Sequence, residues 1–219
     1  MRGLFAFTTT LLAAWGCAAG PATKGPFRLV PLASDGRALS GGTPVRHVQP
    51  GLLVELRAID SRQRGEWLQE HVPGAGDPLA RLPGGDRFLT FVMRLGATSD
   101  LPVHIETQSL RLWPDKGRLS TAPLDYTRAF ELLRPDRESG AEAAQVQAFM
   151  RGLLDGPIDV PPGGEREGLL IFPGPSPEAT RLLFELPFVQ VGSTTYRVRI
   201  PFDKTPIEAP PNGRRQSSR

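Results

Sequence analysis

The stretch Tyr196-Arg197-Val198-Arg199-Ile200-Pro201-Phe202 decides the fold of this chain. Its apolar residues alternate with arginines, which is the period of two that a half-buried β-strand requires. A second run with the same period precedes it, and its predicted inward face consists of Leu182, Phe184, Leu186 and Phe188. The short Gly192-Ser193 link between the runs predicts a hairpin. Pro187 and Pro201 would stand at ladder positions, which predicts an edge or a strand end there.

Several other segments have the composition of strands. They cover residues 27–32, 52–59, 88–95, 103–113, 158–160 and 169–172. Residues 88–95 are apolar on both faces and are typical of a central strand, whereas 103–113 reads as one bent strand or two short ones. Strands that mostly follow strands, with 24 glycines and 23 prolines spread along the chain, predict a mainly β fold: an antiparallel β-sandwich.

A helix is predicted before the strand at 158–160. Ser139 and Glu142 have the spacing of a capping box, and Gly156 is placed to end the helix. The apolar residues between them recur at i, i+3, i+4 and i+7: Val146, Phe149, Met150 and Leu153. A shorter helix is predicted over 124–133. Residues 121–155 therefore form a two-helix insertion on one side of the sandwich, and a third candidate around 62–72 is weakened by Gly65.

The N-terminus has the layout of a secretory signal. Met1-Arg2-Gly3 is followed by a mostly apolar run over 4–15 and then by Gly16-Cys17-Ala18-Ala19. The run is short for the ~30 Å hydrocarbon core of a bilayer, which argues against a retained transmembrane helix. Cys17 is the only cysteine in the chain, so the mature domain must be stabilised without a disulfide.

Ala14-Trp15-Gly16-Cys17 resembles the lipobox of bacterial lipoproteins. The resemblance implies that Cys17 carries a diacylglycerol thioether and an amide-linked acyl chain, which together give stable membrane anchoring. Ala18 stands where aspartate would be an inner-membrane retention signal, so the resemblance implies the outer membrane, facing the periplasm. The alternative is ordinary signal cleavage after Ala18 or Ala19, which would release a soluble protein.

The chain then divides into four parts. We predict a signal peptide over 1–16, a tether over 17–26, a β-sandwich domain over 27–202 and a disordered tail over 203–219. The tail is rich in proline and arginine, and Ile207 is its one large apolar residue after Phe202. It therefore buries too little apolar surface to offset the conformational entropy of ordering.

Two further segments resemble immunoglobulin-like domains of exported bacterial proteins. In the first, the strand at 88–94 runs into the polar turn Gly96-Ala97-Thr98-Ser99-Asp100 and later reaches Asp115-Lys116-Gly117. In the second, the turn Pro161-Pro162-Gly163-Gly164 precedes the strand Gly168-Leu169-Leu170-Ile171-Phe172. The resemblance implies an immunoglobulin-like sandwich and no particular activity, since such domains are commonly envelope lipoproteins of unknown function.

Catalytic signatures are missing from the sequence. It contains no Gly-x-Ser-x-Gly motif, and its three histidines lie far apart at His47, His71 and His104. Glu165 and Glu167 fall in a predicted turn. We therefore predict no catalytic residue, no cofactor and a non-enzymatic protein. The net charge of +3 includes Arg2 of the signal, and a nearly neutral exported domain is a poor partner for nucleic acid.

Three groups of residues are candidates for binding. His104 and Glu106, at i and i+2 on one strand, have the spacing of two ligands to zinc or copper. Because a solvated strand face gives the same pattern, no metal site is assigned. Arg94, Arg111, Arg197 and Arg199 are candidates for a basic stripe that meets an anionic glycolipid or an acidic partner. For them too a solvated strand face is the favoured interpretation.

The third group is Trp67 and Trp113, which are either part of a recognition surface or, as we favour, placed at the margin of the core.

Together these features predict a lipid-anchored envelope protein that binds or scaffolds an envelope protein or a glycan. The alternative is a periplasmic protein that binds a metal or a small ligand.

Overall fold

The computed structural model of the protein describes residues 27–33, 36–40, 42–117, 119–134 and 140–207. The strands are β1 (Phe27–Pro31), β2 (Val45–Gln49), β3 (Leu52–Ile59), β4 (Leu89–Ala97), β5 (Val103–Glu106), β6 (Arg111–Pro114), β7 (Pro157–Val160), β8 (Glu165–Phe172), β9 (Arg181–Val191) and β10 (Thr194–Pro206). The helices are α1 (Ser61–His71), α2 (Tyr126–Leu133) and α3 (Ala141–Arg151). Across the described ranges, no helix has the length and apolarity needed to span a membrane.

The strands form two antiparallel sheets, which confirms the predicted β-sandwich. One sheet has the order β2-β3-β4-β8; the other has the order β1-β10-β9-β5-β7, with β6 also paired to β9. The two sheets bury a common core whose centre is aromatic: Phe91 lies 5.7 Å from Phe172, 5.7 Å from Phe184 and 5.3 Å from Phe202, between ring centroids. β4 lies inside its sheet and is buried on both faces, as the sequence predicts for a central strand.

Helices cover one outer face of the sandwich. A second buried cluster joins α1, α2 and α3 to the outward side chains of the four-stranded sheet: Val92, Leu169 and Ile171 from the sheet with Trp67, Leu68, Ala129, Leu133 and Phe149 from the helices. The predicted two-helix insertion is confirmed by α2 and α3. The helices therefore form a third layer against the four-stranded sheet.

The third candidate helix, which contains the unfavourable Gly65, also forms as α1. Its N-cap, Asp60, accepts a hydrogen bond from the Gln63 backbone N–H at 2.8 Å, and the Gln63 side chain accepts one from the Asp60 N–H at 3.1 Å. This capping box satisfies two backbone donors at the start of α1. Arg64, also on α1, is 1% exposed and bonds Asp77 with two nitrogens, at 3.0 and 2.9 Å.

The ends of α3 differ from the prediction. Its N-cap is Gly140, without a side-chain cap, and the predicted capping residue Ser139 lies outside the described residues. The helix ends at Arg151 with Gly152 as its C-cap, so Gly156 does not terminate it. Leu153, predicted on the helix, instead forms an isolated parallel bridge with Leu169.

A bulge in β9 overturns the predicted inward position of Phe188. The β9–β10 register shifts between the Tyr196↔Val189 and Val198↔Leu186 pairs, and a shift of one residue reverses which face a side chain occupies. Phe188 is consequently 62% exposed. Pro187 lies in this bulge. Pro201 pairs with Leu183 inside β10, so its predicted edge or strand-end position is wrong.

β10 is also longer than predicted. It continues to Pro206 because residues 202–206 pair with the whole of β1. Residues 203–206 are therefore ordered by this pairing, although their composition alone predicts disorder. The predicted tail is therefore wrong for 203–206, and residues 208–219 lie outside the described part of the chain. The strand pattern also missed β2, whose side chains are half-buried or exposed.

Two predicted turns have different outcomes. β8 begins at Glu165, so Glu165 and Glu167 lie in a strand that pairs with β4. At 115–117 the turn forms, with Gly117 at a φ of +93°, and Asp115 accepts hydrogen bonds from the Thr180 N–H at 2.9 Å and hydroxyl at 2.6 Å. Burial opposes the ionisation of Asp115, but these donors outweigh it and hold the pKa at about 2. The charged Asp115 thus fixes the end of β6 beside the start of β9.

Candidate functional site

The predicted lipid attachment residue, Cys17, lies outside the described residues. The described chain begins at Phe27 in β1, which is the terminal strand of the six-stranded sheet. The sheet that carries β1 is therefore the part of the fold that follows the predicted tether.

His104 and Glu106 lie together on β5, as predicted, and the structure adds a third group. The His104 Nδ1 is 2.8 Å from Asp159 Oδ1 on β7, and its Nε2 is 3.5 Å from Glu106 Oε1. The hydrogen bond to Asp159 raises the pKa of His104 above its ordinary value; burial opposes this effect, and Glu106 adds a smaller increase. Sequence analysis missed Asp159 because only the β5–β7 register places it opposite His104.

This cluster favours a charged imidazole between two carboxylates. Within the described ranges there is no group of three or more His, Cys, Asp and Glu residues that could hold a metal ion. The other histidines have different partners: His47 Nε2 lies 3.1 Å from the Gln49 amide, and His71 Nδ1 lies 3.0 Å from the Trp67 carbonyl. No serine is hydrogen-bonded to a histidine among these described contacts.

The predicted basic stripe is divided between the two sheets. Arg94 lies on β4 and pairs with Glu165 on the outer face of the four-stranded sheet, which raises the pKa of the guanidinium. Arg111, Arg197 and Arg199 lie on the six-stranded sheet. Because the sandwich core separates the two faces, Arg94 does not belong to one surface with the others.

Arg197 and Arg199 share a single carboxylate, Glu185, and Arg111 is its cross-strand neighbour. Glu185 pairs across β9 with Arg111 on one side and Arg199 on the other. The Arg199 Nε donates to Glu185 Oε1 at 2.8 Å, and the Arg197 Nε lies 3.9 Å from the same oxygen. The bond from Arg199 lowers the pKa of Glu185 against the effect of burial, with a further contribution from Trp113. Glu185 is only 8% exposed.

Trp113 completes this group from β6. Its indole Nε1 donates to Glu185 Oε2 at 2.8 Å, while 43% of the residue remains exposed, contrary to the favoured prediction that it lies at the core margin. The cross-strand partner of Trp113 is Leu183, which pairs in turn with Pro201. An apolar row therefore lies directly beside the charged row of Arg111, Glu185 and Arg199.

We call this surface the basic–aromatic face. It consists of nine neighbouring outward residues of β6, β9 and β10: Arg111, Trp113, Leu183, Glu185, Pro187, Phe188, Arg197, Arg199 and Pro201. Its outward orientation follows from the inward neighbours on the same strands, since Phe184, Val198 and Ile200 are buried. The arginines were visible in the sequence, but Glu185 and Phe188 were missed because their positions depend on register and on the bulge.

The outer face of the four-stranded sheet is arranged differently. A shallow concavity of about 120 Å³ is lined by Pro44, Glu55, Arg57, Val92, Arg94 and Glu167. Most of its charges have individual partners: Arg46 donates to Glu55 at 2.9 Å, Arg94 pairs with Glu165, and the Trp67 Nε1 donates to Glu167 at 3.0 Å. Arg57 has no ion pair or side-chain hydrogen bond among the described residues. Trp67, the second predicted tryptophan, is 5% exposed, so its predicted place at the core margin is confirmed.

No protein-family model matches the chain, and no curated protein matches it.

Proposed function

We propose that this protein is a lipid-anchored component of the bacterial cell envelope with a non-enzymatic binding or scaffolding role. The lipobox-like sequence ending in Cys17 supports the anchor. The basic–aromatic face carries the binding role, because it leaves an aromatic ring and three arginines on an open sheet with one carboxylate between them. The outer membrane, facing the periplasm, is the proposed location.

The predicted tether leads into the sheet that carries the basic–aromatic face. Residues 17–26 of the tether extend at most about 35 Å, and they lead into β1, which pairs with β10 of the basic–aromatic face. A lipid on Cys17 would therefore hold this face within reach of the envelope layers next to the membrane.

Membrane fractionation tests the anchor. We expect the wild-type chain in the membrane fraction with acyl chains on Cys17, detected by mass spectrometry, and Cys17→Ser to lose the acyl chains and the anchored mature form. Ser40 is exposed, so Ser40→Ala serves as a surface control that should fractionate like the wild type. A wild-type protein without acyl chains on Cys17 contradicts the anchor.

A second candidate function is metal binding at His104. Asp159 is hydrogen-bonded to the Nδ1 of His104, and the Nε2 of the same ring faces Glu106. A carboxylate on one ring nitrogen is the arrangement that orients an imidazole to bind a metal through the other nitrogen. Titration of zinc or copper into the purified chain tests it. Binding that disappears in His104→Gln and persists in His47→Gln supports this function, and equal weak binding in all three proteins contradicts it.

A further inference from the structure

The basic–aromatic face has an excess of positive charge that its own residues do not neutralise. Arg197 and Arg199 share Glu185 as their acidic partner within the described part of the chain, and both side chains are 55% exposed. Arg111 donates to the backbone carbonyls of Gln108 and Leu110 at 2.5 and 2.7 Å. Both contacts to Glu185 use the Nε atoms, so the terminal nitrogens of Arg197 and Arg199 remain available to an external acceptor.

The neighbouring charges confine this excess to one region of the sheet. Arg181 and Asp203, on the row beyond Leu183 and Pro201, form a pair at 3.0 Å. Further along the edge of β9 that also pairs with β6, the His104 cluster contains two carboxylates. An anionic ligand is therefore attracted to the rows of Arg111, Arg197 and Arg199 and not to the whole sheet.

The same region has fixed aromatic and apolar surface. The bond from its indole N–H to Glu185 restrains Trp113, and Leu183 and Pro201 continue the row across β9 and β10. At the other end, Phe188 lies in the bulge beside Arg197. Successive outward residues of a strand are about 7 Å apart. Rows with arginines and rows with apolar side chains therefore alternate about every 7 Å along the strands, which is a spacing that an extended ligand can follow.

We propose that the basic–aromatic face binds an anionic polysaccharide, that is, a chain of sugar rings with carboxylate or phosphate groups. This proposal rests on the proposed envelope location. Guanidinium groups bind carboxylate and phosphate through two parallel hydrogen bonds. The polarised C–H groups of a sugar ring pack against the electron-rich face of an indole.

The shape of the face favours a polysaccharide over a bilayer. An interfacial amphipathic helix binds lipid by burying its apolar face about 5–10 Å into the boundary between headgroups and acyl chains. Here the apolar residues lie on a sheet, and Trp113 is held by a hydrogen bond to the buried Glu185 of the same sheet. An extended polymer can follow the strands without such insertion.

Binding to immobilised polygalacturonate tests this proposal, with uncharged dextran as the reference and the full chain purified in an uncharged detergent. We expect salt-sensitive binding to polygalacturonate and none to dextran. Arg197→Gln/Arg199→Gln should weaken binding about tenfold or more, and Trp113→Ala should weaken it several-fold at unchanged charge. The matched control is Arg46→Gln/Arg62→Gln, which removes two exposed arginines from elsewhere and should change binding less than about twofold.

The proposal is overturned by no binding to polygalacturonate, by an equal loss in the control variant, or by unchanged binding of Trp113→Ala in protein that circular dichroism shows to be folded. Displacement of the polymer by phosphatidylglycerol in mixed micelles, but not by soluble oligogalacturonate, would assign the face to lipid instead. An acidic protein captured by the face without polygalacturonate binding would also contradict it. Fractionation of Cys17→Ser tests the anchor independently, so failure of polymer binding leaves the envelope location standing.

Discussion

The two outer faces of the sandwich contain the same tryptophan–glutamate bond in opposite surroundings. On the four-stranded sheet, Trp67 donates to Glu167 at 3.0 Å, stacks on His71 with 4.7 Å between ring centroids, and is 5% exposed. On the six-stranded sheet, Trp113 donates to Glu185 at 2.8 Å and is 43% exposed. The first tryptophan attaches a helix to the sheet, whereas the second is held by the sheet and faces outward.

The surrounding charges differ in the same way. On the face that carries Glu167, Arg46 and Arg94 have their own acidic partners and only Arg57 has none among the described residues. Helices cover the adjoining part of that sheet. Around Glu185 two arginines share one carboxylate. Local pairing together with helical cover is typical of a surface that stabilises the fold, whereas unbalanced charge beside an exposed ring is typical of a surface that binds a ligand.

Removing each tryptophan gives the largest contrast. Trp67→Ala should lower the free energy of unfolding by about 3–5 kcal/mol because it leaves a cavity between α1 and the sheet. Trp113→Ala should lower it by less, about 1–2 kcal/mol, because the partly exposed ring loses less packing and the main loss is its hydrogen bond to Glu185. Urea unfolding followed by far-ultraviolet circular dichroism measures both, and similar losses would remove the distinction between the two faces.

The arginines of α1 sharpen the account of the covered face. Arg64→Ala should cost about 3 kcal/mol, because the buried Arg64 bonds both Asp77 and, at 3.0 Å, the Thr90 hydroxyl. Arg62→Ala, two residues earlier, removes a pair whose side chains are 77% and 59% exposed and should cost less than about 0.5 kcal/mol. A small loss for Arg64→Ala in the same urea assay would show that α1 is held without this ion pair.

Replacing the glycine inside α1 should stabilise the fold, in contrast to the substitutions above. An added Cβ at Gly65 meets no atom within 4 Å, so Gly65→Ala should raise the free energy of unfolding by about 0.5–1 kcal/mol through better helix propensity. Gly168→Ala is the control, because its Cβ would lie 2.8 Å from the Leu154 Cγ and should destabilise by overpacking. Destabilisation by Gly65→Ala in thermal unfolding would mean that α1 packs more tightly against its surroundings than described.

The smallest expected effect concerns His104, on the acidic part of the open sheet. Asp159 raises the pKa of His104 above 6.5. The charged imidazole therefore stabilises the folded state fully at a pH well below 6.5, and this stabilisation is lost as the pH rises through the raised pKa. Titration by NMR should show the pKa of His104 above its ordinary value and a lower one in Asp159→Asn. An unchanged His104 pKa in that variant would mean that the cross-strand bond does not form in solution.

The sequence predicts the elements better than it predicts their contacts. β3 matches its predicted bounds because Leu52, Val54 and Leu56 alternate with side chains of the opposite face and are all buried. Phe188 was placed on the wrong face because a bulge is a property of the β9–β10 pairing and not of either strand alone. A period of two therefore predicts a strand, but it does not predict where the register changes.

The candidate site was predictable only in part for the same reason. Arg197 and Arg199 are two residues apart on one strand, so their common face follows from the sequence. Glu185 and Trp113 join them through the registers of β9 with β10 and β6, which no local pattern encodes. Arg94 was grouped with them wrongly because strands of two sheets have the same alternation, and only the sheet order separates them.

Quenching of tryptophan fluorescence by ions tests the contrast between the two faces most directly. The measurement uses the full chain with Trp15→Phe and one further change, Trp67→Phe or Trp113→Phe, so that a single tryptophan remains. We predict that Trp113 is quenched strongly by iodide and less by caesium, because the nearby arginines attract the anion, and that Trp67 is protected from both. Equal quenching of the two tryptophans, or stronger quenching of Trp113 by caesium than by iodide, would contradict an open, positively charged face on the six-stranded sheet.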